Sequence, residues 1–262
     1  MINTRKMPFF PWLRLKLNVY LQYKAYIYVW IISGAGPLVA MLIWAQSSET
    51  RLGGHRAVYA YFSLAFLTKL TTTIWVSDEL SKSIRDGDIT HRLLRPSALV
   101  WEHAAGHVAG ALIRAVPGVV IALSIIIISG AAGSISIAMM PLYLVALALS
   151  WITQFSWGFS LGILGTWLSD VRPIAVVLST SISIAGGLYA PIAFFPHSSG
   201  HILSVLPFAS VIGNPTCILV PQLALLSPGC VIAISAAWAA SSASVCLALW
   251  RFSASRIGEV CA

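Results

Sequence analysis

Three histidines, His91, His103 and His107, are the residues whose type first suggests chemistry, namely metal ligation. They flank the boundary between a polar stretch and an apolar one, and no carboxylate cluster accompanies them. Each is therefore expected to be solvated or lipid-facing, and no metal is assigned. Four cysteines (Cys217, Cys230, Cys246, Cys261) lack C-x-x-C spacing and do not suggest zinc. Cys217 and Cys230 either meet as a disulfide or serve as apolar fillers. No G-x-x-x-x-G-K-[ST] loop is present to cradle ATP phosphates, and no H-E-x-x-H motif occurs. The chain is expected to hold no cofactor and not to be an enzyme, since paired polar groups within its apolar stretches are also missing. No Asp or Glu lies deep within an apolar stretch, where ion-coupled carriers usually need one.

The elements that would position these groups are six long apolar stretches, near residues 26–46, 57–77, 109–129, 141–168, 174–195 and 228–250. Each can supply the ~20 mostly apolar residues that cross ~30 Å of hydrocarbon. The composition agrees: 58% of residues are hydrophobic and 9% charged, against roughly 25% charged in soluble proteins. The apolar runs are continuous rather than alternating, which excludes a β-barrel. The expectation is an all-α integral membrane protein. It has six transmembrane helices, an N-terminal amphipathic interface helix over 1–25, one transmembrane domain over 26–251 and a tail over 252–262. The first apolar run reads as an uncleaved span.

Charge sets the orientation. Arg5, Lys6, Arg14, Lys16, Lys24, Lys82, Arg85, Arg92, Arg95, Arg172, Arg251 and Arg256 fall on one side, whereas Arg51 and Arg56 fall on the other. The positive-inside rule places both termini in the cytoplasm of a multi-pass protein of the cell inner membrane. The net charge of +8 then reflects anchoring near anionic lipid, not a nucleic-acid partner.

Within the amphipathic segment, Phe9, Phe10, Trp12, Leu13, Leu17 and Leu21 share a broad apolar side, with Arg14, Lys16 and Lys24 as cationic heads. Gly34, Gly36 and Pro37 predict a kink or a close neighbour in the first span. Gly106/Gly110 and Gly158/Gly162, with Gly165 beyond, have the small-residue spacing that lets helices approach closely. Residues 98–110, with Glu102, His103 and His107, read as the start of a long third helix. Arg85-Asp86-Gly87-Asp88 reads as a turn. The fifth span ends in two glycines and two prolines, Gly186 to Pro196. The following 196–227 stretch is broken by prolines and is expected to form short half-helices dipping into the outer leaflet.

Lys69 sits roughly 12 Å inside the second span at ~1.5 Å per residue. It faces a translocation path or a partner's acid, or it snorkels to the headgroups. Arg114 is expected to snorkel. The span tryptophans (Trp30, Trp44, Trp75, Trp151, Trp157, Trp167) are expected as belt or packing residues. Lys69, Trp75 and Trp157 are the substrate-path candidates. With no buried carboxylate, a cationic substrate would have to rely on aromatic faces.

The 20-residue polar connection from Ser77 to Pro96 is the only sizeable feature between spans on its side. Its run Gly87 to Pro96, ending Leu93-Leu94-Arg95-Pro96, resembles the "G-x-(I/L)-x-x-x-L-L-R-P" stretch of a drug- and viologen-type subgroup of ABC-2 type permeases. These are the membrane subunits of ATP-binding-cassette exporters. Leu188 to Pro196, Leu206-Pro207-Phe208 and Asn214-Pro215 are similar to a second pattern of that subgroup. The resemblance implies a permease that pairs with a second permease, identical or related, and docks on ABC ATPase subunits that carry ATP and magnesium. It further implies that the 78–97 segment is a coupling helix. Arg85, Asp86, Gly87, Ile89, Arg92, Leu93, Leu94 and Arg95 would make the contact, with Asp170 and Arg172 as a second one. Drug efflux, of a small hydrophobic or cationic toxic compound, is the implied function. The rival expectation is a channel or secondary carrier that needs no ATPase.

Overall fold

The computed structural model describes residues 9–22, 24–47, 54–88 and 96–260, and every regular element among them is helical. Helix α1 (Phe9–Gln22) precedes α2 (Lys24–Gly34) and α3 (Gly36–Ser47), two halves of one apolar rod broken at Ala35. Both expectations for that glycine pair are met. The position of Gly34 abuts Leu70 and Phe66 of the fourth helix, and that of Gly36 abuts Tyr189. Helices α4 (Gly54–Thr72) and α5 (Val76–Arg85) are separated by three residues. They are followed by α6 (Pro96–Ile128), α7 (Met140–Leu164), α8 (Arg172–Ala185), α9 (His197–Val205), α10 (Gly213–Leu219) and α11 (Pro228–Val260). Proline opens α6 and α11, where its fixed φ suits the first turn and its missing N–H removes nothing.

Among the described residues four helical stretches are long and apolar enough to cross a membrane: Tyr28–Gln46, Leu99–Ile128, Ile137–Leu164 and Pro228–Ser253. In their most apolar windows at most 28% is buried inside the bundle. Most of their apolar surface therefore faces outward, which suits hydrocarbon and not water. The other two expected spans differ in kind. Helix α4 has 19 residues but carries His55, Arg56, Lys69 and several hydroxyls, and it runs through the middle of the fold with Tyr61, Phe62 and Phe66 fully buried. Helix α8 has 14 residues, about 21 Å of rise, and it stops at Gly186 and Gly187, the latter at φ +84°.

The broken segment after α8 closes the end of the bundle away from α5. All seven residues of α10 are buried. Irregular backbone at this depth must find internal donors and acceptors. Tyr61 Oη donates to the Gly187 carbonyl at 2.7 Å, and Trp44 Nε1 to that of Tyr189 at 2.8 Å. Ser150 Oγ donates to Ser210 O and Asn214 Nδ2 to Ser204 O, both at 2.7 Å. Trp238 Nε1 donates to Val205 O at 3.0 Å, and the Gly213 N–H reaches Gly186 O at 2.8 Å. Cys217 and Cys230 do not pair. Cys217 is buried with its thiol 3.2 Å from Leu223 O, while Cys230 is exposed. Cys261 lies outside the described residues.

Both glycine stripes carry helices at the opposite end. Lys16 of α1 lays its stem over Gly106, and Tyr20 lies over Gly110. Phe9 meets Trp101 edge-on at 6.2 Å, so α1 runs alongside the first turns of α6. The half-buried stripe of α1 is Phe9, Trp12, Leu13, Lys16, Leu17 and Tyr20, whereas Phe10 and Leu21, expected on the same side, are exposed.

Candidate functional site

Helix α5 is a short amphipathic rod. Val76, Leu80 and Ile84 recur every four residues and bury one face, Asp78 and Glu79 lie in the first turn, and Lys82 and Arg85 lie in the last. That charge order complements the helix dipole. The buried face lies in a groove cut by Gly158 and Gly162 of α7 and by Gly165 at its C-terminal cap. A Cβ on Gly162 would sit 2.8 Å from Leu80 Cβ, and one on Gly158 would sit 2.8 Å from Val76 Cγ1. Each fully buried aliphatic anchor contributes about 1.5–3 kcal/mol. The run Gly158-Phe159-Ser160-Leu161-Gly162 also has G-x-S-x-G spacing. It lies inside a helix, however, not on the strand-to-helix elbow that would expose a nucleophile.

At the free end of α5 the expected turn forms, with Gly87 at φ +76°. Arg85 Nη1 donates to Ser169 O at 2.9 Å and lies 4.0 Å from Asp170 Oδ1. Arg172 Nε donates to both Asp170 carboxylate oxygens at 3.0 and 3.1 Å. The Arg172 side-chain and backbone hydrogen bonds hold the Asp170 carboxyl below the usual carboxylate range. Three of the expected coupling residues, Arg85, Asp170 and Arg172, thus meet in one exposed cluster, with Asp86 and Gly87 at its tip. Ile89, Arg92, Leu93, Leu94, Arg95 and His91 lie outside the described residues.

The three residues between α4 and α5 form a hinge. Thr71, Thr72 and Thr73 each donate their hydroxyl to a carbonyl three or four residues back, which bends helices. The freed carbonyls are taken by Arg114 of α6. Its Nε donates to Leu70 O at 2.7 Å and its Nη2 to Thr73 O at 2.9 Å. The guanidinium also lies 5.0 Å from the Trp30 ring centre and 4.9 Å from that of Trp75, two indoles stacked 5.8 Å apart. Arg114 is only 3% exposed. The expectation that it snorkels is therefore corrected: interior carbonyls and aromatic faces hold it more effectively than headgroups would. Trp30 and Trp75, expected as belt or packing residues, hold a cation instead.

Beside this hinge lies a cavity of ≈ 410 Å³, lined by Lys69, Arg114 and Arg172 against one acid, Asp78, with Trp30 and Trp75 on its wall and residues of α8 opposite. Lys69 and Trp75 thus share one cavity. Trp157 does not join them. It lines a separate groove of ≈ 440 Å³ with Leu178 and Trp238 and packs on Phe208 at 6.0 Å.

His103 and His107 are 8% and 4% exposed, and so neither solvated nor lipid-facing as the sequence led us to expect. They pack edge-on against Phe159 and Phe155, and both face Glu79 of α5. Partial burial works against ionisation of Glu79. The hydrogen bond with His103 and the charges of His107 and Lys16 outweigh it and hold the carboxyl below its usual range. The sequence missed this trio because its members come from two helices whose contact is tertiary.

Residues 29–257 match the family model described as ABC-2 family transporter protein. The chain belongs to that family. No curated protein sequence matches it. As an ABC-2 family member it is the permease of an ABC transporter, a multi-pass membrane protein and transport subunit that associates with an ABC ATPase. The amphipathic α5, the cluster at Arg85 and the cationic cavity are thus features of a transport subunit that associates with an ABC ATPase.

Proposed function

We propose that this ABC-2 permease is the membrane half of an exporter. In this reading, α5 and the 89–95 segment after it are the lever that an ATPase moves. The observation that carries it is α5 itself, an amphipathic helix in a glycine groove, joined by a three-residue hinge to the wall of the cavity. ATP-driven closure of the ATPase would tilt α5, and the hinge carbonyls gripped by Arg114 would pass that tilt to Trp30, Trp75 and Lys69. The excess of basic residues on the α5 side supports a cytoplasmic location for both termini, in the inner membrane with anionic lipid around α1.

The substrate is a small hydrophobic compound with a polar or anionic head. With Arg172 paired to Asp170, Lys69 and Arg114 still outnumber the one acid, Asp78, which disfavours a cationic substrate, and the Trp30 and Trp75 faces that could have bound one already hold Arg114. Pairing with a second permease, identical or related, is supported by α8. Only its Ile182 is buried, while Ile174, Val176, Val177 and Ile184 are exposed.

Affinity purification of the tagged chain from its native membrane in mild detergent tests the reading. Co-purification of an ATPase is the expected result, and a stable, monodisperse chain alone would overturn it in favour of a channel or carrier. Reversing charge at Arg85, Arg92 and Arg95 together is expected to cut ATPase recovery at least tenfold while membrane insertion is kept. Unchanged recovery in a pull-down sinks the lever. Lys69→Met is expected to change transport severalfold with assembly intact, because the ammonium of Lys69 makes no hydrogen bond or ion pair among the described residues and faces the cavity. Wild-type transport by that variant would remove Lys69 from the path.

A further inference from the structure

We infer that Glu79, His103 and His107 form a binding site for a divalent transition cation, with zinc the best fit, that clamps α5 to α6. His103 Nδ1 lies 3.4 Å and His107 Nε2 3.8 Å from the same Glu79 oxygen, Oε2. One ligand atom from each residue lies within 4.8 Å of the other two. Zinc bonds of about 2.0–2.1 Å in tetrahedral geometry hold ligand atoms about 3.4 Å apart. Two separations are thus at or near the required value, and a small side-chain rotation closes the third.

Burial supplies the second argument. His107 Nε2 is fully enclosed, has no hydrogen-bond partner, and is the atom aimed at Glu79. An orphaned buried imidazole nitrogen is unfavourable unless something ligates it. Two imidazoles and one carboxylate are the donor set that suits zinc, and they leave a fourth position for water. The Phe155 and Phe159 rings form an apolar wall behind the histidines, which strengthens ligation by excluding water, while the half-exposed Glu79 leaves a way in. Lys16, whose stem crosses Gly106, is the opposing charge near the cluster.

His103 and His107 are both on α6, and Glu79 is in the first turn of α5, next to the hinge. A bound cation therefore ties α5 to α6 at the point about which α5 would tilt. The restraint on transport that follows rests on the lever reading above; the site does not.

The test is titration of zinc chloride into the chelator-stripped permease, purified in detergent on a tag without histidines and followed by calorimetry and melting temperature. The expected result is one site per chain with an affinity in the micromolar range or tighter, and a melting temperature that rises with zinc. Loss of an outer-shell partner costs a metal site 10–100-fold, so Glu79→Gln and His107→Ala are each expected to weaken binding at least ~100-fold. His201→Ala is expected to change nothing. Glu79→Gln keeps the side-chain shape at a half-exposed position, so it reports on ligation even if His107→Ala fails to fold. Lys16→Met is expected to tighten binding severalfold. No saturable binding below ~100 µM, or binding that survives Glu79→Gln, would overturn the site. In the complex with its ATPase, zinc is expected to slow ATP turnover in wild type and not in Glu79→Gln. Zinc binding with unchanged turnover would leave the site standing and remove the lever.

Discussion

Arg114→Met lowers the melting temperature of the purified permease by roughly 6–12 °C and abolishes transport. Two effects combine. The substitution leaves the carbonyls of Leu70 and Thr73 without their donor at the broken end of α4, and hydrogen bonds to a charged group contribute about 1.5–3 kcal/mol each. It also empties the space beside the stacked Trp30 and Trp75, where a desolvated cation–π contact adds about 0.5–2 kcal/mol. Allowing for relaxation of the hinge toward the cavity, the net loss is about 3 kcal/mol, and for a chain of this size each kcal/mol moves the melting temperature by roughly 2–4 °C. Arg114→Lys falls between wild type and Met, since an ammonium on a flexible stem reaches one carbonyl but cannot fork to both. A melting curve for Met within about 2 °C of wild type, with normal transport, would make Arg114 a passenger at the cavity wall.

The second large effect is at Gly162, and it is expected to separate function from folding. A methyl group there meets Leu80 at its Cβ and Cδ2, 2.8 and 2.9 Å away, and Leu80 is fully buried. Because Cβ is fixed to the backbone, α5 as a whole has to lift. Overpacking of this kind costs about 1–3 kcal/mol, partly offset by the better helix propensity of alanine. Gly162→Val adds two more carbons and leaves α5 no room in the groove. Leu80 shares one core with Leu99 of α6, Phe159 of α7 and Cys246 of α11, so some stability is lost with the groove, but the larger expected loss is in transport, which falls at least tenfold. Gly133→Ala, where nothing lies within 4 Å, serves as the neutral comparison. Transport at the wild-type level in Gly162→Val would show that the seat of α5 is irrelevant to coupling.

The features legible in the sequence were those encoded by local rules. The break at Ala35 follows from Gly34, Gly36 and Pro37, and the turn at Gly87 from Asp and Gly. The interrupted segment after Gly186 follows from its prolines, and the two glycine stripes follow from spacing alone. The stripes could be read as packing sites but not matched to occupants, because spacing says that a helix can approach and not which one. Arg114 was misread for a related reason. Its fate depends on carbonyls freed by a hinge forty residues earlier and on two indoles from other elements, and no periodicity reports that meeting. His103 and His107 carry no local mark of burial either, since Glu79 belongs to a different helix. Lys69 and Trp75 fell in one cavity because they are only six positions apart along the chain. Trp157 lies one turn along α7 from Gln154 at the cavity wall and faces a different groove.

The seal at the end away from α5 also fixes the order in which the protein can be made. Its donors come from Trp44, Tyr61, Ser150 and Trp238, scattered across almost two hundred residues of chain. The last of these is on α11, which is made after the other three donors and after residues 186–227. Until α11 is inserted, the carbonyl of Val205 lacks its donor and α10 lacks one wall, so residues 186–227 cannot complete their packing before then. Completion of α11 supplies the donor to Val205 O, and the seal can then close.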